Sequence, residues 1–551
     1  MGAHSLAPRA AAAAALSLVA LGETEARAAD VAIQADTALQ AYAVTSPYGP
    51  EPIARRRALQ TLGLDLENLQ GRRRPGEAEV RLVLLLRLDA DVGINAQLPR
   101  SQAGGETTYA VAEGARYVPG LQIAPLDMMY GYLEARNLAH GLLGVKLGRQ
   151  YLTDMLGFWS FDGALARLTT PFYVQAEMYG GLEQRGGLPL STARYEPQGM
   201  WRGSFAGPAG GSALGGAGSG QPLASDYPSF QRANIAPAFG FALESAGPSF
   251  AHARVSYRRV YNTGDTVTQQ FPDPSGGYRT AAGTRLSQER IGIGADLQKR
   301  ELGALRGGFS VDLYSQIIAT YYAGVEAYLG KRATIGADID YFVPVFDADA
   351  IWNWFTRAPL TTITGRASIV ATRRLDFAFS LGGRLFGTEG DPLTFGKGQC
   401  KAAAIDCSEP AYVDPSTGTI AAFSRAPESR AAARTVDAVG DVNARYRFGA
   451  GVASLRGVMQ AGASGSREGG DLAAERALDG GRFTLGARLS FYAWHDPTRP
   501  ERDAGSLGYM LAFGFKPLEV ARFRLELEHD MNRLVGQRFR LFGLVNLRVA
   551  R

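Results

Sequence analysis

The residues of this chain that could do chemistry recur at every second position. His252, Arg254, Ser256 and Arg258 alternate with Ala253, Val255 and Tyr257. Asp338 and Asp340 alternate with Ala337, Ile339 and Tyr341. Asp437, Asp441, Asn443, Arg445 and Arg447 sit at odd positions of one run, and Asp376 and Arg384 share a parity in another. Successive strand side chains point to opposite faces, so each run places its charges together on one face. Such a face can hold a wetted path that attracts and orients polar or ionic solutes. It can equally be an ion-pair lattice bracing a wall. For any single residue the bracing role is the simpler reading, and for the face as a whole the path is.

Other chemistry is sparse. His495-Asp496 and His529-Asp530 are the His–carboxylate neighbours of the mature chain. A hydrolase would need these pairs converging near a nucleophile or an activated water. Adjacent strand residues diverge, so neither pair forms a site by itself. No GxSxG or HExxH is present. The Gly-rich run 203–220 contains GxGxG spacing, but no strand precedes it and no GK[ST] follows, which argues against a phosphate cradle. Cys400 and Cys407 are disulfide candidates in an oxidising compartment, with a pair of free thiols as the alternative. Metal-ligand spacing is absent, and no cofactor is expected.

The elements that must position the charges are long extended runs. Near the C-terminus, Phe483, Leu485, Ala487, Leu489 and Phe491 alternate with Arg482, Thr484, Gly486, Arg488 and Ser490. Leu507 to Phe515 and Phe523 to Leu527 repeat the pattern, the latter against Arg524 and Glu526. The last run sets Phe539 to Val549 against Arg538, Arg540 and Asn546. Many such runs, each about ten residues or longer, predict an all-β fold: a transmembrane antiparallel β-barrel with lipid outside and a polar lumen. Charges facing hydrocarbon cost about 2–4 kcal/mol near the midplane, so the charged face must be the inner one. The expected lumen-lining residues are Glu134, Arg136, Lys146, Gln150, Asp162, Arg254, Arg258, Asp338, Asp340, Arg384, Asp437, Asp441, Arg445, Arg447, Arg488, Arg524, Glu526, Arg538 and Arg540. Arg524, Glu526 and Glu528 beside Arg538 and Arg540 are the expected bracing lattice. Aromatics at strand ends (Tyr151, Phe158 and Trp159; Phe172 and Tyr173; Trp352, Trp354 and Phe355; Tyr492 and Trp494) are expected to form the interfacial girdles.

Domain organisation follows. Residues 1–28 read as a secretory signal: Arg9, the apolar run Ala10–Gly22, then Ala26-Arg27-Ala28. Arg9 and Arg27 offset Glu23 and Glu25, so removal leaves the formal charge of +5, too modest to suggest nucleic acid. Residues 29–78 read as a periplasmic segment or short plug, on the helical spacing of 51–66 and the Arg55-Arg56-Arg57 cluster. Residues 79–551 form the barrel, with long loops at 185–236 and 389–433. The count is about eighteen strands, sixteen to twenty allowed. With Leu305–Gly330 as one strand the number is even but the cysteine loop falls on the periplasmic side. With it as two the loop falls outside but the number is odd, so one boundary between Leu305 and Asp479 is misplaced.

One motif is more specific. Leu147-Gly148-Arg149-Gln150 ends one strand and Phe161-Asp162-Gly163-Ala164 begins the next. This resembles the Gly-Arg-Gln … Phe-Asp-Gly-Ala hairpin of the alginate-export-like outer-membrane porins. The resemblance covers about forty residues, and the Tyr-Gly-Asp step that follows in that family is replaced by Tyr151–Met155. It implies an eighteen-stranded barrel passing an anionic polymer or small solute. By parity Lys146 and Gln150 face the lumen, and Arg149 shares the face of Leu147.

The resulting expectation is an outer-membrane, porin-like channel, non-enzymatic, passing small hydrophilic or charged solutes. Its partners would be outer-membrane lipid and those solutes, not nucleic acid, with self-association left open. The alternatives are a closed structural or secretion-linked barrel with partner-binding loops, and an outer-membrane hydrolase using His495 and His529.

Overall fold

The computed structural model describes residues 30–45, 52–71, 76–91, 126–184, 236–247, 249–263, 268–270, 279–281, 283–345, 359–387, 411–413, 420–422, 435–462, 465–496, 503–534 and 536–550. The signal segment, the Gly-rich run, Trp352, Trp354, Phe355 and both cysteines lie outside these residues.

One sheet of 22 strands dominates. In chain order the strands are β1 (Asp30–Thr45), β2 (Pro52–Glu67), β3 (Glu79–Asp91), β4 (Leu126–Asn137), β5 (Leu143–Asp154), β6 (Gly157–Thr169), β7 (Val174–Glu183), β8 (Pro237–Ser245), β9 (Ala251–Asn262), β10 (Arg285–Lys299) and β11 (Gly303–Asp312). The second half comprises β12 (Ile317–Leu329), β13 (Ala333–Phe342), β14 (Leu360–Val370), β15 (Leu375–Phe386), β16 (Thr435–Phe448), β17 (Gly451–Gly462), β18 (Gly465–Leu478), β19 (Phe483–His495), β20 (Ala504–Leu518), β21 (Ala521–Asn532) and β22 (Gly536–Ala550). Each pairs antiparallel with its chain neighbours, and β1 pairs with β22, Ala32 opposite Ala550 through Tyr42 opposite Arg540. The sheet therefore closes and leaves no edge.

The count is 22, not about eighteen, and three corrections account for it. Residues 30–67 are two barrel strands, not a plug; their alternation is blurred because Leu59 faces inward while Thr37 and Gln60 pair on the outer face. The partner that completes β1 lies at the far end of the chain, beyond any local pattern. The span Leu305–Gly330 divides at Leu313–Gln316 without Gly or Pro. Instead Asp312 Oδ1 accepts the Ser315 amide at 2.6 Å, and Gln316 takes φ of 58°. Finally Gly465–Leu478 is a strand whose outward positions, Glu468, Gly470, Leu472, Ala474, Arg476 and Leu478, are too mixed to show as an apolar row. The last two corrections both fall between Leu305 and Asp479, and together they keep the strand number even.

The connections sort by end. Those following even-numbered strands are short, such as 449–450 and 519–520, and both described termini lie at that end. The connections following odd-numbered strands include 92–125, 184–236, 263–284, 343–359 and 387–434. Leu375–Phe386 ends and Thr435–Phe448 begins at this long-loop end, the outer side of a bacterial barrel.

The barrel is inside out relative to a soluble fold. Outward positions carry Leu485, Leu489, Phe491, Leu511, Phe513, Leu525 and Leu541, all exposed; Leu511, for example, is 54% exposed. A continuous belt of this kind is stable only against hydrocarbon.

Candidate functional site

The inner wall carries the charges that alternation assigns to it. Registers place Glu134, Arg136, Lys146, Arg254, Arg258, Asp338, Asp340, Arg384, Asp437, Asp441, Arg445, Arg447, Arg488, Arg524, Glu526, Arg538 and Arg540 on the inner face. Most are locked in cross-strand ion pairs. Glu177, only 2% exposed, accepts from Arg167 at 2.8 Å and from Arg254 at 2.6 Å. Arg254 also reaches Glu244 at 2.5 Å, and Glu244 contacts His252 at 2.8 Å. Asp338 joins Arg306 at 2.6 Å to Arg366 at 3.2 Å, and Arg366 reaches Glu326 at 3.0 Å. Gly324 makes room for the first of these, since a Cβ there would lie 2.4 Å from Asp338 Oδ1. The expected C-terminal lattice is present in altered form. Arg524 bonds Glu526 at 2.7 Å and Glu475 at 3.3 Å; Glu528 takes Arg540 at 2.5 Å and Arg488 at 3.2 Å. Glu177, Glu244, Arg306, Glu326 and Arg366 were absent from the sequence-based set, although the same alternation would have found them.

The wall is interrupted at β5 and β6. Pairing of β4 with β5 stops at Gly131 opposite Arg149, and that of β6 with β7 stops at Phe161 opposite Glu183. The two strands stay paired with each other as far as Asp154 opposite Gly157. Their common tip, residues 150–160, therefore leaves the wall and folds into the bore. It lands on β9 and β10. The Leu156 carbonyl accepts from Arg258 Nη2 at 2.9 Å, and a Cβ on Gly292 would lie 2.9 Å from Leu156 Cδ2 and 3.0 Å from Met155 Cβ. Glycine is required at both ends of this arrangement. Gly148 takes φ of 127° where the strand bends, and a Cβ there would lie 2.3 Å from the Gly131 carbonyl oxygen.

The hairpin's wall-side face is apolar. Trp159, Phe161, Leu165, Tyr179, Ala238 and Val260 form a buried cluster with Leu152 against it. Arg258 runs through this contact at 2% exposure, its guanidinium 5.2 Å from the Trp159 ring and 3.1 Å from Gln288 Oε1. Trp159 donates to Glu183 at 2.9 Å. So Arg258 is inside the barrel as expected, yet it anchors the hairpin and does not face open lumen. Gln150 is likewise buried, donating to the Gly163 carbonyl at 3.2 Å.

The opposite face of the hairpin faces the bore. Tyr151 has the parity of the outward Leu147, but beyond Arg149 the strand has left β4. Its ring lies 5.6 Å from that of Tyr130, an inner-face residue of β4, and is stacked on Phe158 at 5.6 Å. Tyr151 and Phe158 are therefore not girdle residues, and neither is buried Trp159. Tyr492 also departs from the girdle expectation: it stands on the inner face, bonded to Asp471 and covered by Arg467. Phe172 and Tyr173, 81% and 69% exposed at a short turn, suit an interfacial position.

Asp162 is a further correction. It stands on the outer face, beside Leu182 of β7, and forms a two-pronged pair with Arg149 at 2.7 and 2.9 Å. Arg149 also donates to the Met128 carbonyl at 2.9 Å, closing the notch left where β5 peels away. Parity puts Arg149 on the outer face with Leu147, and Asp162, expected in the lumen lining, stands on that outer face beside it. The two His–Asp neighbours are also not brought together. His529 is on the outer face, its ring 4.0 Å from Phe539 and hydrogen-bonded to Tyr509 at 3.1 Å, whereas His495 pairs with Asp503 at the long-loop end. Among the described residues no cluster of three metal-binding side chains occurs.

No family model matches the chain, and no curated protein matches it. The resemblance to alginate-export-like porins thus finds no support, and the 22 strands differ from the eighteen it implies. Solved structures similar to this chain are outer-membrane porins. OccAB2 of Acinetobacter baumannii is 7% identical with a TM-score of 0.38, over 95% of this chain and 98% of that one. OpdQ of Pseudomonas aeruginosa is 10% identical with a TM-score of 0.38, over 95% and 99%. A BenF-like porin from Pseudomonas fluorescens Pf-5 is 9% identical with a TM-score of 0.36, over 95% and 99%. Superpositions of this quality say nothing about the solute.

Proposed function

We propose that this chain is an outer-membrane diffusion channel for small hydrophilic or charged solutes. The observation that supports it is the combination of a closed barrel, an apolar exterior, a charged inner wall and one hairpin folded into the bore. A wall built only for bracing needs no internal hairpin. A hairpin seated on β9 and β10 narrows the passage, and in an open channel it would set a size limit. The paired charges keep the duct wet and supply oriented donors and acceptors, so a solute exchanges hydration for wall contacts as it passes. Because most inner carboxylates are matched by arginines, the field is mixed in sign, and size and hydrogen bonding discriminate more than net charge.

The deciding experiment is reconstitution of purified, detergent-extracted protein into planar bilayers. Steady conductance in KCl, with a reversal potential under a salt gradient, is the expected result. A barrel that inserts but gives no steady current would overturn the channel reading in favour of a closed structural barrel.

A further inference from the structure

Two rings of the hairpin are out of character for a polar duct. Tyr151 and Phe158 are 48% and 41% exposed on the side facing the bore. They continue a row that begins on the wall: Tyr132 lies 6.3 Å from Tyr130, Tyr130 lies 5.6 Å from Tyr151, and Tyr151 lies 5.6 Å from Phe158. The registers of β3 and β4 fix the first two rings inward, and the detachment of β5 from β4 brings the third beside them. A graded line of apolar faces in water is costly unless something covers it.

The charges around this row are already matched. Arg81 bonds Asp65 at 2.7 Å and reaches Glu67 at 3.4 Å. Glu134 takes Arg136 at 2.7 Å and Lys146 at 3.4 Å, and Lys146 also lies 5.2 Å above the Tyr132 ring. An anion here must compete with three carboxylates for the same cations, and a cation must compete in the reverse sense. A neutral solute competes with neither. It can use these groups as charge-assisted hydrogen-bond donors and acceptors while an apolar face covers a ring. Saturated six-membered sugar rings have that make-up, with C–H groups on the two faces and hydroxyls around the rim.

We infer that the Tyr132–Tyr130–Tyr151–Phe158 row is a subsite for neutral saccharides, on which successive sugar rings stack during passage. The inference rests on the channel reading of the preceding section and narrows its solute class.

The test is current blockade of the reconstituted full-length channel in KCl, titrated with maltotriose, with benzoate as the competing probe. Maltotriose is expected to interrupt the current and benzoate to do so more weakly. Tyr151→Ala and Phe158→Ala should each weaken the blockade about three- to tenfold, the range of a lost aromatic contact. Tyr151→Phe, which keeps the ring, should stay within about twofold of the parent, and Phe523→Ala on the outer face should match it. A conducting channel that maltotriose does not block, or that benzoate blocks better, overturns the saccharide subsite and leaves the channel reading intact. Equal blockade of the parent and both alanine variants overturns it too. Absence of KCl conductance overturns the channel reading itself.

Discussion

Replacing Arg258 by Met keeps the length of the side chain and removes what fastens the hairpin. Two hydrogen bonds from the guanidinium are lost, to the Leu156 carbonyl at 2.9 Å and to Gln288 at 3.1 Å, together with the Trp159 contact. Hydrogen bonds to charged groups contribute about 1.5–3 kcal/mol each, and a desolvated cation–π contact about 2. Against that stands the cost of holding a guanidinium at 2% exposure, several kcal/mol, with no carboxylate in ion-pair contact among the described residues. A net loss of about 2 kcal/mol in seating the hairpin is about thirtyfold in its equilibrium between seated and released. Single-channel recordings of Arg258→Met should then show added open-state noise and excursions to higher conductance. The geometry offers a rescue. A Cβ at position 292 would lie 3.0 Å from Met155 Cβ, so Met155→Cys with Gly292→Cys can be bridged after a shift of well under an ångström. Oxidising that pair in an Arg258→Met, Cys400→Ser, Cys407→Ser background should restore quiet traces, and reduction should abolish them. A quiet Arg258→Met channel, or one whose noise ignores the crosslink, would show that the hairpin is held otherwise.

Further expectations concern separate parts of the molecule. Breaking the Arg149–Asp162 pair should give a double-mutant coupling of about 1.5–3 kcal/mol, measured by urea unfolding in lipid vesicles, because the two-pronged pair stands on the outer face, where water screens it little. Gly240→Val should be among the worst single changes, since a Cβ there falls 2.4 Å from the Tyr179 ring and 2.3 Å from the Tyr257 carbonyl oxygen. A loss of at least about 2 kcal/mol would appear as a lower temperature of the folded-to-unfolded gel shift. Neutralising Arg445 and Arg456, both about half exposed on the inner wall, should move the reversal potential toward cation preference without changing the barrel's melting. At the long-loop end, the Asp503 carboxylate is held below its ordinary range by the Asp496 amide, which donates at 2.7 Å, and by His495. That contact stabilises above the unfolded pKa of about 3.9 and is lost as pH falls through the lowered value, so Asp496 amide protection in hydrogen exchange should fade only in strong acid.

Most of the barrel was legible because a strand writes its two environments into alternate positions. The rows from Phe483 to Val549 gave the outer face, and Arg488, Arg524 and Arg540 the inner one, with nothing needed beyond a period of two. Where both faces are small or both are mixed, as in Gly465–Leu478 and residues 30–67, that signal vanishes and the pairing partner decides.

What the amino-acid sequence determined by itself was the kind of object: a chain of alternating strands whose charges had to turn away from hydrocarbon. Only the tertiary structure decided how many strands close the ring, because β1 is completed by β22 across the whole length of the chain. It alone also decided the fate of Tyr151, Phe158 and Asp162. Parity gives the face of a strand that stays in its sheet; once β5 and β6 leave the wall at Arg149 and Phe161, the same face turns from lipid to lumen.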